Sequence, residues 1–194
     1  TLKDLTFDNI YHEHCNYWSL TSLVNFFNQF NSTIFKAETI NTHGGSLRVY
    51  IKKGKKVKIE NNVKALLNEE EIFGIKNYKT YQNFGEKINK LKENVIKNIN
   101  NLRENNKKII GFGAPAKATT ALNFFGISDQ IDYIIEDNKL KQNKFIPGVL
   151  IPIKAKKNLK IKNALILVLA WNFYNEIKKN NANLSNKFVN IKDL

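Results

Sequence analysis

Lys107-Lys108-Ile109-Ile110-Gly111-Phe112-Gly113-Ala114-Pro115-Ala116-Lys117 is the stretch that decides the fold. An apolar run entered through charged residues and closed by glycines reads as a strand and a tight turn, and Pro115 to Phe125 reads as the helix that follows. Gly111, Gly113 and Ala116 fit the spacing G-x-G-x-x-G/A in the strand–turn–helix setting that gives it meaning. The first glycine permits the turn, the second lets backbone approach a phosphate, and Ala116 admits close helix packing. The helix N-terminus offers N–H groups to an anion, and Asp137, 24 residues after Gly113, closes the next strand, where an acid commonly meets a ribose hydroxyl. The bland alternative is a turn kept for packing alone. Pro115 removes one N–H that could bind phosphate, which points away from NAD as the ligand.

Outward from this stretch, Tyr81 to Asn105 carries Phe84, Ile88, Leu91, Val95, Ile99 and Leu102 on one helical stripe. Downstream, Ile131–Glu136, Ala164–Ala170 and Lys187–Ile191 read as strands and Asn172–Lys179 as a helix. Strands alternating with helices predict an α/β fold, a Rossmann-like open parallel sheet flanked by helices, over residues 81–194. Upstream, Ser19–Phe30 has the spacing of an amphipathic helix, and Thr33–Asn41 and Leu47–Ile51 read as two strands broken by Gly44-Gly45. The charged stretch 53–80, with a helix over Val63–Glu71, is expected to connect this N-terminal part, residues 1–52, to the sheet domain.

The formal charge of +14 invites a nucleic-acid reading, but only two of the 31 basic residues are Arg, Arg48 and Arg103. Lys, Asn and Ile are abundant together, as compositional drift on solvated faces would make them, so no nucleic-acid partner is expected. The longest apolar run, Ala164 to Trp171, is far short of the roughly 20 residues of a membrane-spanning helix, so no membrane partner is expected. The single Cys15 excludes an internal disulfide, and the opening Thr1-Leu2-Lys3-Asp4 lacks the form of a signal peptide. A cytoplasmic location follows as the expectation, for a chain that is a fragment or one half of a split protein.

All three histidines lie in two motifs, Tyr11-His12-Glu13-His14 and Thr42-His43-Gly44-Gly45-Ser46. Histidine gains or loses a proton near neutral pH, and clustering favours acid/base work over helix capping. A metal site is not expected, because His-x-His lacks further ligands here. His43 stands between a hydroxyl and two glycines, in a loop that suits either a solvated turn or the presentation of N–H groups to an oxygen.

Phe7 through His14, Tyr17-Trp18-Ser19-Leu20-Thr21, Thr42 through Val49, Gly111 through Lys117 and Leu169-Ala170-Trp171-Asn172-Phe173 occur in the order seen in the C-terminal part of SAM-dependent sugar C-methyltransferases, which the chain resembles from about Phe7 to about Ile177. The resemblance implies that residues 1–52 are the terminal helix and strand pair of a class I methyltransferase domain. The S-adenosylmethionine-binding loop would lie in a domain missing from this chain, a partner needed in cis or in trans. It implies removal of a proton next to the ketone of a nucleotide-diphosphate sugar, followed by attack of the enolate on the sulfonium methyl. By position, His14 is the implied base, Glu13 assists, Tyr11 positions the sugar oxygen, and His43 with Gly44, Gly45 and Ser46 lies nearby. Gly111, Gly113, Ala114, Pro115, Lys117, Asn123 and Asp137 are implied on the substrate side, Lys117 toward the diphosphate. Ala118, Lys139 and Asn143 depart from the family's usual Gly, Pro and Gly. The reading that competes with this one is a Rossmann-type nicotinamide-binding protein or oxidoreductase.

Overall fold

The computed structural model describes residues 1–42, 45–105, 108–156, 164–182 and 187–194. His43, Gly44 and Lys107 therefore lie outside the described residues. Two compact units are present, one of Thr1–His14 with Gly85–Leu194, the other of Cys15–Phe84.

The first unit is built on a parallel sheet of five strands, β3 (Ile109–Phe112), β4 (Tyr133–Ile135), β5 (Ile153–Lys154), β6 (Leu165–Val168) and β7 (Lys187–Asn190), in the order β5-β4-β3-β6-β7. It is an α/β, Rossmann-like fold, with α4 (Ala116–Phe125) and α5 (Tyr174–Asn180) among the helices flanking the sheet. Every residue of β3 and β6 is buried, as strands covered on both faces must be, which is why they read as continuous apolar runs. Ile110, Phe112, Ile135, Ile166 and Val168 share one core cluster. A Cβ on Gly111 would lie 2.7 Å from Ile134 Cγ1 and 2.9 Å from Leu169 Cδ1, so only glycine fits between the neighbouring strands. The edge strand β5 has only two residues and follows Pro152, and no alternation in so short a segment announces it.

The N-terminal segment belongs to this unit. A 3₁₀ turn at Phe7–Asn9 lays Phe7 against Phe124 and Phe125 of α4, with ring centroids 4.8 and 5.4 Å apart. The long helix α3 (Tyr78–Asn105) buries Ile88, Val95 and Ile99, and near its C-terminus Arg103 grips Asp132 at 2.7 and 3.4 Å. Burial alone would raise the Asp132 carboxyl; hydrogen bonds from Arg103 and from the Ile109 N–H outweigh it and hold the group below its ordinary value.

The second unit sets α1 (Leu20–Gln29) and α2 (Asn61–Phe73) against an antiparallel hairpin of β1 (Ser32–Ile40) and β2 (Ser46–Lys53). Leu20, Ile34, Ala37 and Val63 form its core, joined by Leu66 and Leu67 of α2. The stretch 53–80, expected to connect, thus contributes a core helix. Ser19 and Ser22 form a reciprocal cap on α1, and Glu70 of α2 accepts from the N–H groups of Leu20 and Thr21 at 2.6 and 2.7 Å.

Candidate functional site

In the first unit the chain winds from β3 out to β5, then returns to the other side of β3 as β6 and β7. The reversal between β3 and β6 is where open α/β sheets place their ligands, beyond the C-terminal ends of the strands. A crevice of about 330 Å³ opens there, with Gly113, Pro115, Glu136, Asp137, Lys141 and Glu176 in its wall. Gly113 takes φ +87°, and a Cβ on it would meet that of Ala170 at 2.8 Å. Its N–H donates to Ile135 O at 2.8 Å, which carries the turn over the end of β4.

The acid that reaches the glycine turn is Glu136, whereas Asp137, the residue singled out by spacing, is exposed at the crevice wall. Glu136 Oε2 accepts from the Ala114 N–H at 2.7 Å and Oε1 from the Asn138 N–H at 3.0 Å. Lys141 Nζ donates to Ala114 O at 2.8 Å, and Gln142 Nε2 to Glu136 O at 2.8 Å. Both polar groups of the Ala114 backbone are therefore engaged by side chains from the turn after β4. Asn143, in that same turn, holds the left-handed φ of 59° that a glycine would take freely.

Lys117 points to a different group of residues. Its Nζ lies 4.0 Å from Asp8 Oδ2 and 6.0 Å from the ring centroid of Trp171, over which Lys192 Nζ also sits at 5.4 Å. Asp8 is 3% exposed, and its Oδ2 accepts no hydrogen bond among the described residues. Burial raises its carboxyl above the ordinary value, and the nearby Lys117 ammonium pulls the other way without cancelling the rise. Asp8, Trp171 and Lys192 also line a separate, mostly apolar cavity of about 210 Å³ with Phe7, Leu91 and Phe125. Asn123 joins α4 to the later loop, donating from Nδ2 to Thr119 O at 2.8 Å and Pro147 O at 2.9 Å.

The Tyr11–His14 segment continues from Asp8 and is joined to α4 by the Thr120 hydroxyl, which donates to Ile10 O at 3.4 Å. His14 Nδ1 lies 2.8 Å from Asn9 O, and its Nε2 lies 3.1 Å from Tyr11 Oη. A carbonyl oxygen only accepts, so the Nδ1 in that bond carries hydrogen, and in the neutral ring Nε2 is the bare nitrogen that accepts from the phenol. The rings of Tyr11 and His14 are 4.2 Å apart. Glu13 Oε1 lies 3.9 Å from His12 Nε2, both side chains well exposed.

Gly45 and Ser46 belong to the second unit, where the Gly45 N–H and Ser46 hydroxyl both donate to Thr42 O, at 3.0 and 2.9 Å. Tyr11, Glu13, His14, Gly111, Gly113, Ala114, Pro115, Lys117, Asn123 and Asp137 all fall in the first unit. Glu136, Lys141 and Asp8 were missed from sequence. The acid closing β4 was within reach of a strand-alternation argument, but the pairing of Asp8 with a lysine 109 residues on carried no local signal.

No described helix is long and apolar enough to cross a membrane. The C-methyltransferase NovU of Streptomyces niveus is 31% identical to this chain over 182 residues, which cover 92% of the chain and 43% of the relative. The chain thus spans less than half the length of that curated relative. The C-methyltransferase C-terminal domain family matches residues 41–190, a range that holds the whole parallel sheet and its glycine turn. The chain belongs to the C-methyltransferase C-terminal domain family.

Proposed function

We propose that this chain is the substrate-binding, base-supplying portion of a SAM-dependent C-methyltransferase acting on a nucleotide-linked keto-sugar in the cytoplasm. The observation that carries the reading is the His14 ring, tied at Nδ1 to a backbone carbonyl and presenting Nε2 beside the Tyr11 hydroxyl, in a member of this family. A bare imidazole nitrogen suits removal of a proton from the carbon next to a ketone. The proton passes to Nε2 as the electron pair moves toward the ketone oxygen. The Tyr11 hydroxyl, released from the nitrogen, donates to that oxygen as its charge develops.

Glu13 assists the base, and residues 1–52 are the end of a methyltransferase domain. Lys117 receives the diphosphate. Gly111, Gly113, Ala114 and Pro115 shape the turn that leads into the helix bearing Lys117, with Asn123 and Asp137 at the substrate side. S-adenosylmethionine supplies the methyl group as an electrophile. The crevice of this chain does not suit that cofactor, because Glu136, standing where an acid would meet ribose hydroxyls, directs both oxygens to backbone N–H groups. The methyl donor is therefore assigned to another domain, in cis or in trans.

Titration of the chain with a nucleoside-diphosphate keto-sugar tests the reading. Saturable binding without methyl transfer is expected, with transfer appearing when a SAM-binding domain is supplied and disappearing in His14→Ala. Absence of binding to every nucleotide-sugar tried would overturn it. The nicotinamide reading has against it the same engagement of the Ala114 amide.

A further inference from the structure

We propose that Glu136 is the specificity determinant of the crevice: it places the protein's own carboxylate on the glycine turn and thereby excludes phosphate-bearing dinucleotides from it. In a dinucleotide fold the pyrophosphate is met by backbone N–H groups just after the second glycine and by the N-terminus of the next helix. Here the first N–H after Gly113 belongs to Ala114 and already donates to Glu136 Oε2 at 2.7 Å. The next position is Pro115, which has no N–H to give. A phosphate entering the turn would have to displace a charge-assisted hydrogen bond while facing the carboxylates of Glu136, Asp137 and Glu176, all in the crevice wall.

The arrangement is held from two further directions. The second oxygen of Glu136 accepts from the Asn138 N–H at 3.0 Å, and Gln142 donates to the Glu136 carbonyl at 2.8 Å, so the carboxylate is fixed by its own turn. Lys141, the cation of the wall, donates at 2.8 Å to the Ala114 carbonyl. The turn that looks in sequence like a phosphate cradle is a closed staple between β3 and the turn after β4. This goes beyond the proposed methyltransferase role and does not depend on it.

Backbone-amide NMR of the whole chain, titrated separately with inorganic pyrophosphate and with NADH, tests the assignment. For the wild type, the Gly113 and Ala114 amides are expected to stay in place with either probe. Saturable movement of those amides with NADH would overturn the proposal. In Glu136→Ser the Ala114 N–H is released, and pyrophosphate affinity at the turn should rise about tenfold or more, the worth of one hydrogen bond to a charged group. Adding Pro115→Ala should raise it again. Glu136→Gln keeps the side-chain shape and removes the repulsion, so it should gain less than Glu136→Ser, and it serves if the shorter variant loses its dispersed spectrum. A folded Glu136→Ser or Glu136→Gln chain that binds pyrophosphate no better than wild type would refute the role of Glu136. If a nucleotide-sugar binds and moves Lys117 while Ala114 stays in place, both this inference and the methyltransferase reading stand. If nothing moves with a nucleotide-sugar, only the latter fails.

Discussion

The two units are held together by different means. In the sheet unit, β3 and β6 are buried on both faces and a glycine is sandwiched between neighbouring side chains, so stability rests on close packing with little tolerance for added volume. In the hairpin unit, β2 has no fully buried residue, and much of the organisation comes from polar ties such as the Ser19–Ser22 cap and the Glu70 carboxylate at the start of α1. The difference is one of how errors propagate: a misplaced methyl group is severe in the first unit, a lost hydrogen bond in the second. The candidate base and the glycine turn both belong to the first, so rigidity there carries into the site.

Substitutions can break or sharpen this contrast. The largest effect is expected for Gly111→Val, whose branched side chain must enter space already held by Ile134 and Leu169 at under 3 Å. A loss of more than about 3 kcal/mol is expected, read by the fluorescence of the buried Trp171 during denaturation. Lys117→Ala comes next, because it takes the ion-paired ammonium from the buried Asp8 carboxylate and leaves it the weaker influence of Lys192 and the N-terminus; roughly 3 kcal/mol should be lost and largely recovered in Lys117→Ala/Asp8→Asn. If the double variant is no more stable than the single, Asp8 and Lys117 are not coupled.

In the hairpin unit, Glu70→Ala removes the acceptor for two N–H groups and the Thr21 hydroxyl at the N-terminus of α1. About 1–2 kcal/mol should be lost, seen as faster amide exchange in α1 with little change in β3 and β6. An equal loss of protection in the sheet would break the contrast.

The smallest effects are those of pH, and they have opposite signs within one unit. Asp132, lowered from 3.8, contributes stability that is present above that value and is lost as pH falls through its folded value. Asp8, raised from 3.8, binds its proton more tightly folded than unfolded, so its contribution is present below 3.8 and declines as pH rises from there through the folded value. Acid titration of Asp132→Asn should flatten the first slope, and Asp8→Asn the second. A second slope left unchanged in Asp8→Asn would show that Asp8 is not the group responsible.

The same contrast explains what could be read in advance. Ile109–Phe112 and Leu165–Val168 were legible because strands buried on both faces leave continuous apolar runs, and α3 because Ile88, Val95 and Ile99 repeat on one face. The role of α2 was obscured, since Val63, Leu66 and Leu67 make a narrow apolar stripe inside a charged stretch. At the site, spacing located the glycine turn but chose Asp137 over Glu136. The count from Gly113 ignores side-chain direction, and the residue just after the buried Ile135 is the one that turns back to Ala114. The link from Lys117 to Asp8 is a tertiary contact with no local signature at all.

The central claim, that the substrate side of a methyl transfer resides in this chain, is tested most directly by calorimetric titration with a nucleoside-diphosphate keto-sugar. The comparison is wild type against Asp8→Asn and the double variant Lys117→Ala/Asp8→Asn, which keeps the buried site uncharged. Saturable binding by the wild type, retained in Asp8→Asn and weakened about tenfold or more in the double variant, is the predicted result. No heat of binding in the wild type, or equal affinity in the double variant and Asp8→Asn, would contradict the account.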